Sequence, residues 1–213
     1  MYIITVFDQH FGVFDRKARL VSEALHSLLP NSRWVIYDNK IVYFAAYPAD
    51  SYAEDTLEDG LLDYLSKNKL SAAISGRFQT LLELRQAYQQ SLAAFELGCR
   101  VSPGQTVYCY RDYLPYHIGD LLSRHAPLRS FCHPAVLRLA EYDQANQSQY
   151  LATLASYLKY AETPHKAADE LFIHKNTLFY RIRQIKERFG LRLEDGSERM
   201  RIQLTLAFLQ LIQ

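Results

Sequence analysis

The chain has 213 residues, of which 49% are hydrophobic and 22% charged, and its 24 Lys+Arg against 23 Asp+Glu give a formal net charge of +1. That length can bury one large core or two smaller ones, and the composition excludes disordered and fibrous classes. No apolar run approaches the ~18 residues of a membrane span, and the opening MYIITVFDQHFGVFD lacks a basic leader region, so the expected location is cytoplasmic.

YIITVF (2–7) is a short β-rich run. In 16–30, Leu20, Ala24, Leu25, Leu28 and Leu29 share one helical face and Pro30 stops the helix. RWVIYDNKIVYFAAY holds two β-branched and aromatic runs around Asp38-Asn39-Lys40, a hairpin signal. The stretch 52–68 reads as a helix with Leu57, Leu61, Leu62 and Leu65 as its apolar set, and 70–75 (LSAAIS) as a strand. A helix over 80–97 ends at Gly98, and 106–110 (TVYCY) is the last strand. The order β-α-β-β-α-β-α-β predicts an α+β sandwich with a mainly antiparallel sheet over residues 1–125. Beyond residue 112 the strand signals cease. The pattern of 112–125 is helical, the Pro-bounded stretch 126–134 is the expected joint, and helices follow at 134–142, 147–161, 164–171, 175–189 and 197–212. Residues 126–213 are thus expected to form an all-α domain.

Cys99, Cys109 and Cys132 have neither C-x-x-C nor metal-ligand spacing, which fits unpaired thiols in a reducing compartment. His117, His125 and His133 recur regularly but lack a supporting donor set. No metal, cofactor or catalytic group is expected.

The net charge hides an uneven distribution. Residues 1–158 hold 14 basic and 16 acidic side chains and residues 159–213 hold 10 and 7, while 175–192 alone hold 6 and 1. A local excess of this kind points to a polyanionic partner. Within it, Leu178, Ile182, Ile185 and Phe189 stack on one face of a helix, as they would in any core. The opposite face carries Asn176, Tyr180, Arg183 and Glu187, flanked by Thr177 and Gln184. Asn and Gln can bond adenine bidentately and Arg guanine in the major groove, so Asn176, Thr177, Tyr180, Arg183 and Gln184 are candidate base readers. Lys175, Arg181, Lys186, Arg188 and Arg192 suit phosphates, which position a helix without reading sequence. His174 stands at the N-cap position, where free first-turn amides can also take a phosphate.

A supporting helix precedes this one. Pro164 opens HKAADELF, Ala167 and Ala168 permit close approach, Leu171 supplies a core contact, and Phe172-Ile173 fill the corner. The three residues between Leu171 and Lys175 make a helix-turn-helix length, with Phe172 in place of the usual turn glycine. One short helix reads few base pairs, so a homodimer on double-stranded DNA is expected. A merely solvated amphipathic helix is the bland alternative.

The stretch 139–211 resembles the C-terminal helix-turn-helix of PucR/CdaR-type bacterial transcriptional regulators. The resemblance rests on EYD (141–143), TLASYL (153–158), AADELFIHKNTLFYRI (167–182), FGLRLED (189–195) and RIQLTLAFLQL. Its HxNTLxYR signature falls on His174, Asn176, Thr177, Leu178, Tyr180 and Arg181. The resemblance implies a non-enzymatic regulator of a catabolic operon, and leaves room for a small-molecule effector. In such proteins the preceding segment is often a degenerate GGDEF-like domain, to which 75–98 (SGRFQTLLELRQAYQQSLAAFELG) and the following strand are similar. Cyclases of that fold need acidic Mg²⁺ ligands at the end of the first strand and at the central hairpin. Asp8 stands at the first place, but the hairpin YDNKIVY has one carboxylate and no Gly-Gly, so cyclase activity is not expected. Asp55, Glu58 and Asp59 read as a solvated helix start. Tyr43, Phe44, Tyr47, Tyr52 and Tyr64 read as core and surface, with a dimer contact or a small-molecule pocket as alternatives; the resemblance implies a linking or dimerising role. The sensor domain of many relatives does not precede the first strand, as in a fragment or a short member. Two rival functions are a nucleotide-binding module on residues 1–125 and a basic helix that docks on an acidic protein.

Overall fold

Tyr2, Ile4 and Val6 on one side of β1 (Tyr2–Phe7) and Ile3 and Thr5 on the other are all buried, which makes this strand central. It pairs antiparallel with β3 (Lys40–Ala45) and β4 (Ser71–Ile74). Antiparallel β2 (Ser32–Tyr37) and parallel β5 (Val107–Cys109) complete the order β2-β3-β1-β4-β5. Asp38 (φ 48°) and Asn39 (φ 57°) make the two-residue β2–β3 turn; both have positive φ, as a turn matched to strand twist requires. The coordinates, a computed structural model, describe residues 1–8, 16–29, 31–47 and 59–212. They divide into two units, Met1–His117 and Ile118–Gln213.

In the first unit, α1 (Arg16–Leu28) and α2 (Asp59–Lys67) bury Ala18, Val21, Leu25, Leu61 and Leu65 against the Tyr2, Ile4 and Tyr43 side of the sheet. A 3-10 turn (Leu81–Glu83) leads into α3 (Leu84–Val101), which lies over β1, β4 and β5 on the other side. There the buried Thr5 and Ser91 hydroxyls satisfy each other at 2.7 Å. The α+β class, the order of elements and the mainly antiparallel sheet agree with expectation.

Three local expectations need correction. Leu20 is not on the buried face of α1 but 67% exposed. The core stripe runs through Ala18, Val21, Ser22 and Leu25, and Ser22 fits there because its hydroxyl donates to the Ala18 carbonyl at 2.6 Å. A polar residue in the stripe disguises it. Gly98 does not end α3; it lies inside it, where an added Cβ would stand 2.1 Å from Cδ1 of the Tyr108 ring. The glycine therefore serves helix–sheet approach, not a cap. Gly98→Ala should cost about 1–3 kcal/mol despite its better helix propensity, as urea denaturation would measure. Finally, Leu62 is 38% exposed although expected in the apolar set. Leu61 and Leu65 are buried against the sheet and Tyr64 packs partly beside them, because so short a helix buries a narrow stripe. Tyr52, Asp55, Leu57 and Glu58, and the side chain of Asp59, fall outside the described residues.

The division between the units falls within α4 (Tyr110–Ser123). The second unit holds a 3-10 turn (Leu128–Phe131), then α5 (Pro134–Asn146), α6 (Tyr150–Lys159), α7 (Pro164–Glu170), α8 (Lys175–Phe189) and α9 (Gly196–Ile212). Val136, Leu139, Leu154, Leu178, Ile185 and Ile202 form the middle of its core, each fully buried. Among the described residues no helix is long and apolar enough to cross a membrane.

Candidate nucleic-acid interface

Helix α7 stops through hydrogen bonding rather than through composition. Phe172 adopts φ 53°, its N–H donates to the Asp169 carbonyl (3.1 Å), and the Ile173 N–H donates to the Ala168 carbonyl (3.0 Å). This double closure satisfies the last carbonyls of α7 and turns the chain sharply into α8. Ile173 packs on the core, but Phe172 does not fill the corner: it is 96% exposed, because the left-handed backbone turns its side chain outward. The glycine-favouring position is thus occupied by an aromatic. Phe172→Gly should raise stability by about 0.5–1 kcal/mol, the left-handed penalty less the extra entropy of an unfolded glycine. An unchanged or lower unfolding midpoint would contradict that account of the turn.

Helix α8 then starts on His174, whose Nδ1 accepts from the Asn176 N–H at 3.2 Å, and ends on Gly190 at φ 73°. Leu178, Ile182, Ile185 and Phe189 are all buried, and Ala167 and Ala168 are buried opposite them, so α7 and α8 approach closely. The seating fixes what faces outward. Asn176, Thr177, Tyr180, Arg183 and Glu187 are exposed along one side of α8, and Gln184 is half-buried beside them. An amide, two hydroxyls and a guanidinium therefore stand on a rigid helix whose other face is locked in a core.

The family motifs do structural work around this helix. Asp143 caps α6, accepting from the Leu151 N–H at 2.7 Å and the Tyr150 N–H at 3.1 Å. Asp195 caps α9 through the Ser197 and Glu198 N–H groups (2.9 and 3.1 Å). Those amides, the Glu198 one foremost, hold the Asp195 carboxyl below its ordinary pKa. Glu170 ties α7 to α6, accepting from Ser156 (2.6 Å) and Lys159 (2.5 Å), and the Lys159 bond in particular lowers its pKa.

The expected phosphate-binding cations divide into two groups. Lys175 is exposed, with its ammonium 5.7 Å from the Phe179 ring centroid, and His174 is exposed beside it. The others are engaged within the unit. Arg181 reaches Thr153 on α6 (3.4 Å) and Gln149 at its N-cap (3.5 Å). Lys186 pairs with Glu194. Arg188 donates to the Tyr142 hydroxyl at 2.7 Å and covers its ring at 3.9 Å. Arg192 lies 3.8 Å from Glu198. Two further groups that periodicity within α8 does not single out are His165 and Lys166, exposed on the first turn of α7; a pass over the basic residues of the supporting helix would have found them.

In the first unit Asp8 is mostly buried and ion-paired with Lys17 at 2.5 Å, and Asp38 pairs with Lys40 at 2.7 Å in the hairpin turn. Tyr43, Tyr47 and Tyr64 belong to the core on the α1 side, with the Tyr43 hydroxyl donating to the Ser22 carbonyl at 2.8 Å. Phe44 faces the other side.

Residues 150–208 match the PucR C-terminal helix-turn-helix domain. The chain is 31% identical over 151 residues to the purine catabolism regulatory protein of Bacillus subtilis, covering 68% of this chain and 27% of that protein. It is 26% identical to the proline-responsive transcriptional activator PutR of the same organism (64% of this chain, 34% of that protein). It is 27% identical to the carbohydrate diacid regulator of Escherichia coli (58% and 31%). The chain thus spans between about a quarter and a third of the length of these relatives. Residues 150–208 thus carry a PucR-type helix-turn-helix domain, and the chain is similar to bacterial transcriptional regulators.

Proposed function

We propose that the chain is a cytoplasmic, non-enzymatic regulator that binds double-stranded DNA in a sequence-specific manner, with α8 in the major groove. The observation that carries this is the exposed row Asn176, Thr177, Tyr180 and Arg183 on a helix whose opposite face is fully buried. These residues, with Gln184, read base edges. Lys175, His174 and Lys166 take phosphates directly. Arg181, Lys186 and Arg188 reach phosphates only by giving up the contacts they make inside the unit, so their contribution is smaller. A homodimer supplies the second half-site that one short helix needs. The first unit links or dimerises the regulator as a GGDEF-like domain without cyclase chemistry. The names of the relatives tie them to purine catabolism, proline and carbohydrate diacids, which supports control of a catabolic operon in response to a small metabolite.

Fluorescence anisotropy on cognate and single-mismatch duplexes tests the assignment of faces. Arg183→Ala should erase discrimination at one base position, about tenfold or more. Lys175→Ala should weaken all duplexes alike and lower the salt slope by about one. If both variants weaken every duplex equally, α8 is not reading bases through this face.

A further inference from the structure

Helix α3 covers its sheet face over β1, β4 and β5. On the same face β2 and β3 present Arg33 beside Phe44 and Val35 beside Val42, through the pairings Arg33↔Phe44 and Val35↔Val42. This uncovered half is concave. Between it and the start of α3 lies a cleft of about 570 Å³, bounded on the helix side by Leu84, Arg85 and Tyr88. That size falls within the range of small-molecule sites. Its apolar walls stay accessible, Val35 being 56% and Leu81 70% exposed.

The polar groups in the cleft are few and share one preference. Arg33 and Arg85 both line it, and among the described residues no carboxylate lines it and neither arginine has an acidic partner. The Tyr88 hydroxyl is buried and has no hydrogen-bond partner there, although its ring is held edge-on to Tyr37 at 5.5 Å. Burial first, then the nearby Asp38, raises the pKa of this phenol, so it is a neutral donor. A buried donor without an acceptor is costly and is satisfied by a ligand that brings one.

We propose that this cleft binds a small organic acid, its aromatic or branched apolar body against Val42, Phe44 and Leu84 and its carboxylate accepting from arginine and from the Tyr88 hydroxyl. A second copy of the chain fits less well. A two-fold contact sets a patch against itself, which would bring four guanidinium groups together with no carboxylate from the cleft to offset them. The site supplies the chemical class of effector left open above. It is tested without DNA, so its failure and the failure of the DNA-binding function are separate results.

The probe is 3-phenylpropanoate, titrated calorimetrically into the full chain, with 3-phenylpropanamide and propanoate as controls. Saturable one-to-one binding is expected for the acid. The amide and propanoate should each bind at least about tenfold more weakly, since one lacks the charge and the other the apolar body. Arg85→Gln should weaken the acid about tenfold or more and leave the amide unchanged, and Tyr88→Phe should weaken it severalfold. Both replacements lie at the surface of the cleft, and an unchanged thermal midpoint without ligand checks that the variants fold. Absence of saturable binding overturns the proposal, as does equal binding of acid and amide. A dimer in sedimentation that Val35→Glu dissociates, with no response to the acid, would give the face to a second copy instead and equally overturn it.

Discussion

Leu178→Ala should unfold the second unit at temperatures the parent chain survives. Leu178 is fully buried in the core shared by α5, α6, α7, α8 and α9, and truncation there loses both the transfer energy and the packing around the void. The expected cost is about 2–5 kcal/mol, against the roughly 5–15 kcal/mol that holds a domain together. Because α8 is seated in this core, duplex affinity should fall with it, although Leu178 faces away from the proposed DNA side. Chemical denaturation followed by far-UV circular dichroism would show the loss. A change below about 0.5 kcal/mol, the size of an ordinary surface substitution, would mean that the helix is not seated as described.

The second large effect concerns salt. Besides Arg183, which is assigned to base edges, Lys166 and Lys175 are the exposed cations of α7 and α8 whose side chains make no hydrogen bond or ion pair among the described residues. Two copies would offer about four, and neutralising that number of phosphates makes affinity fall roughly 10²-fold between ~50 and ~200 mM monovalent salt. The engaged cations sharpen the expectation. Glu194→Ala releases Lys186 from its ion pair and should tighten binding at low salt while steepening the slope by about one. Filter binding across a salt series measures both, and a flat dependence would count against a phosphate-bound helix.

The parts of this architecture visible in sequence are those with strong local periodicity. Leu178, Ile182, Ile185 and Phe189 recur at helical spacing and carry chemically specific ends, His174 and Gly190, so α8 is delimited to the residue. Its outward face follows from the same arithmetic. What periodicity cannot supply is the partner of a charge. Tyr142, Gln149, Thr153 and Glu194 come from other elements, and only the folded arrangement shows that they occupy Arg188, Arg181 and Lys186. Phe172 is obscure for another reason: a left-handed helix cap is normally signalled by glycine, and here hydrogen bonds and the Ile173 contact impose it on an aromatic. In the first unit, Ser22 hides the buried stripe of α1 because its hydroxyl is satisfied within the helix. The cleft beside Tyr88 depends on how far α3 extends across the sheet, a property of packing that no local pattern records.

Selection from a random pool of duplexes puts the proposed reading of base pairs by α8 in the major groove to the test. The full chain should enrich a paired motif whose half-sites are spaced by one helical turn of DNA, about 10–10.5 base pairs, or a multiple of it. The same selection with Arg183→Ala should enrich a motif degenerate at one position in each half-site. No enrichment, or an identical motif from the variant, would contradict the account.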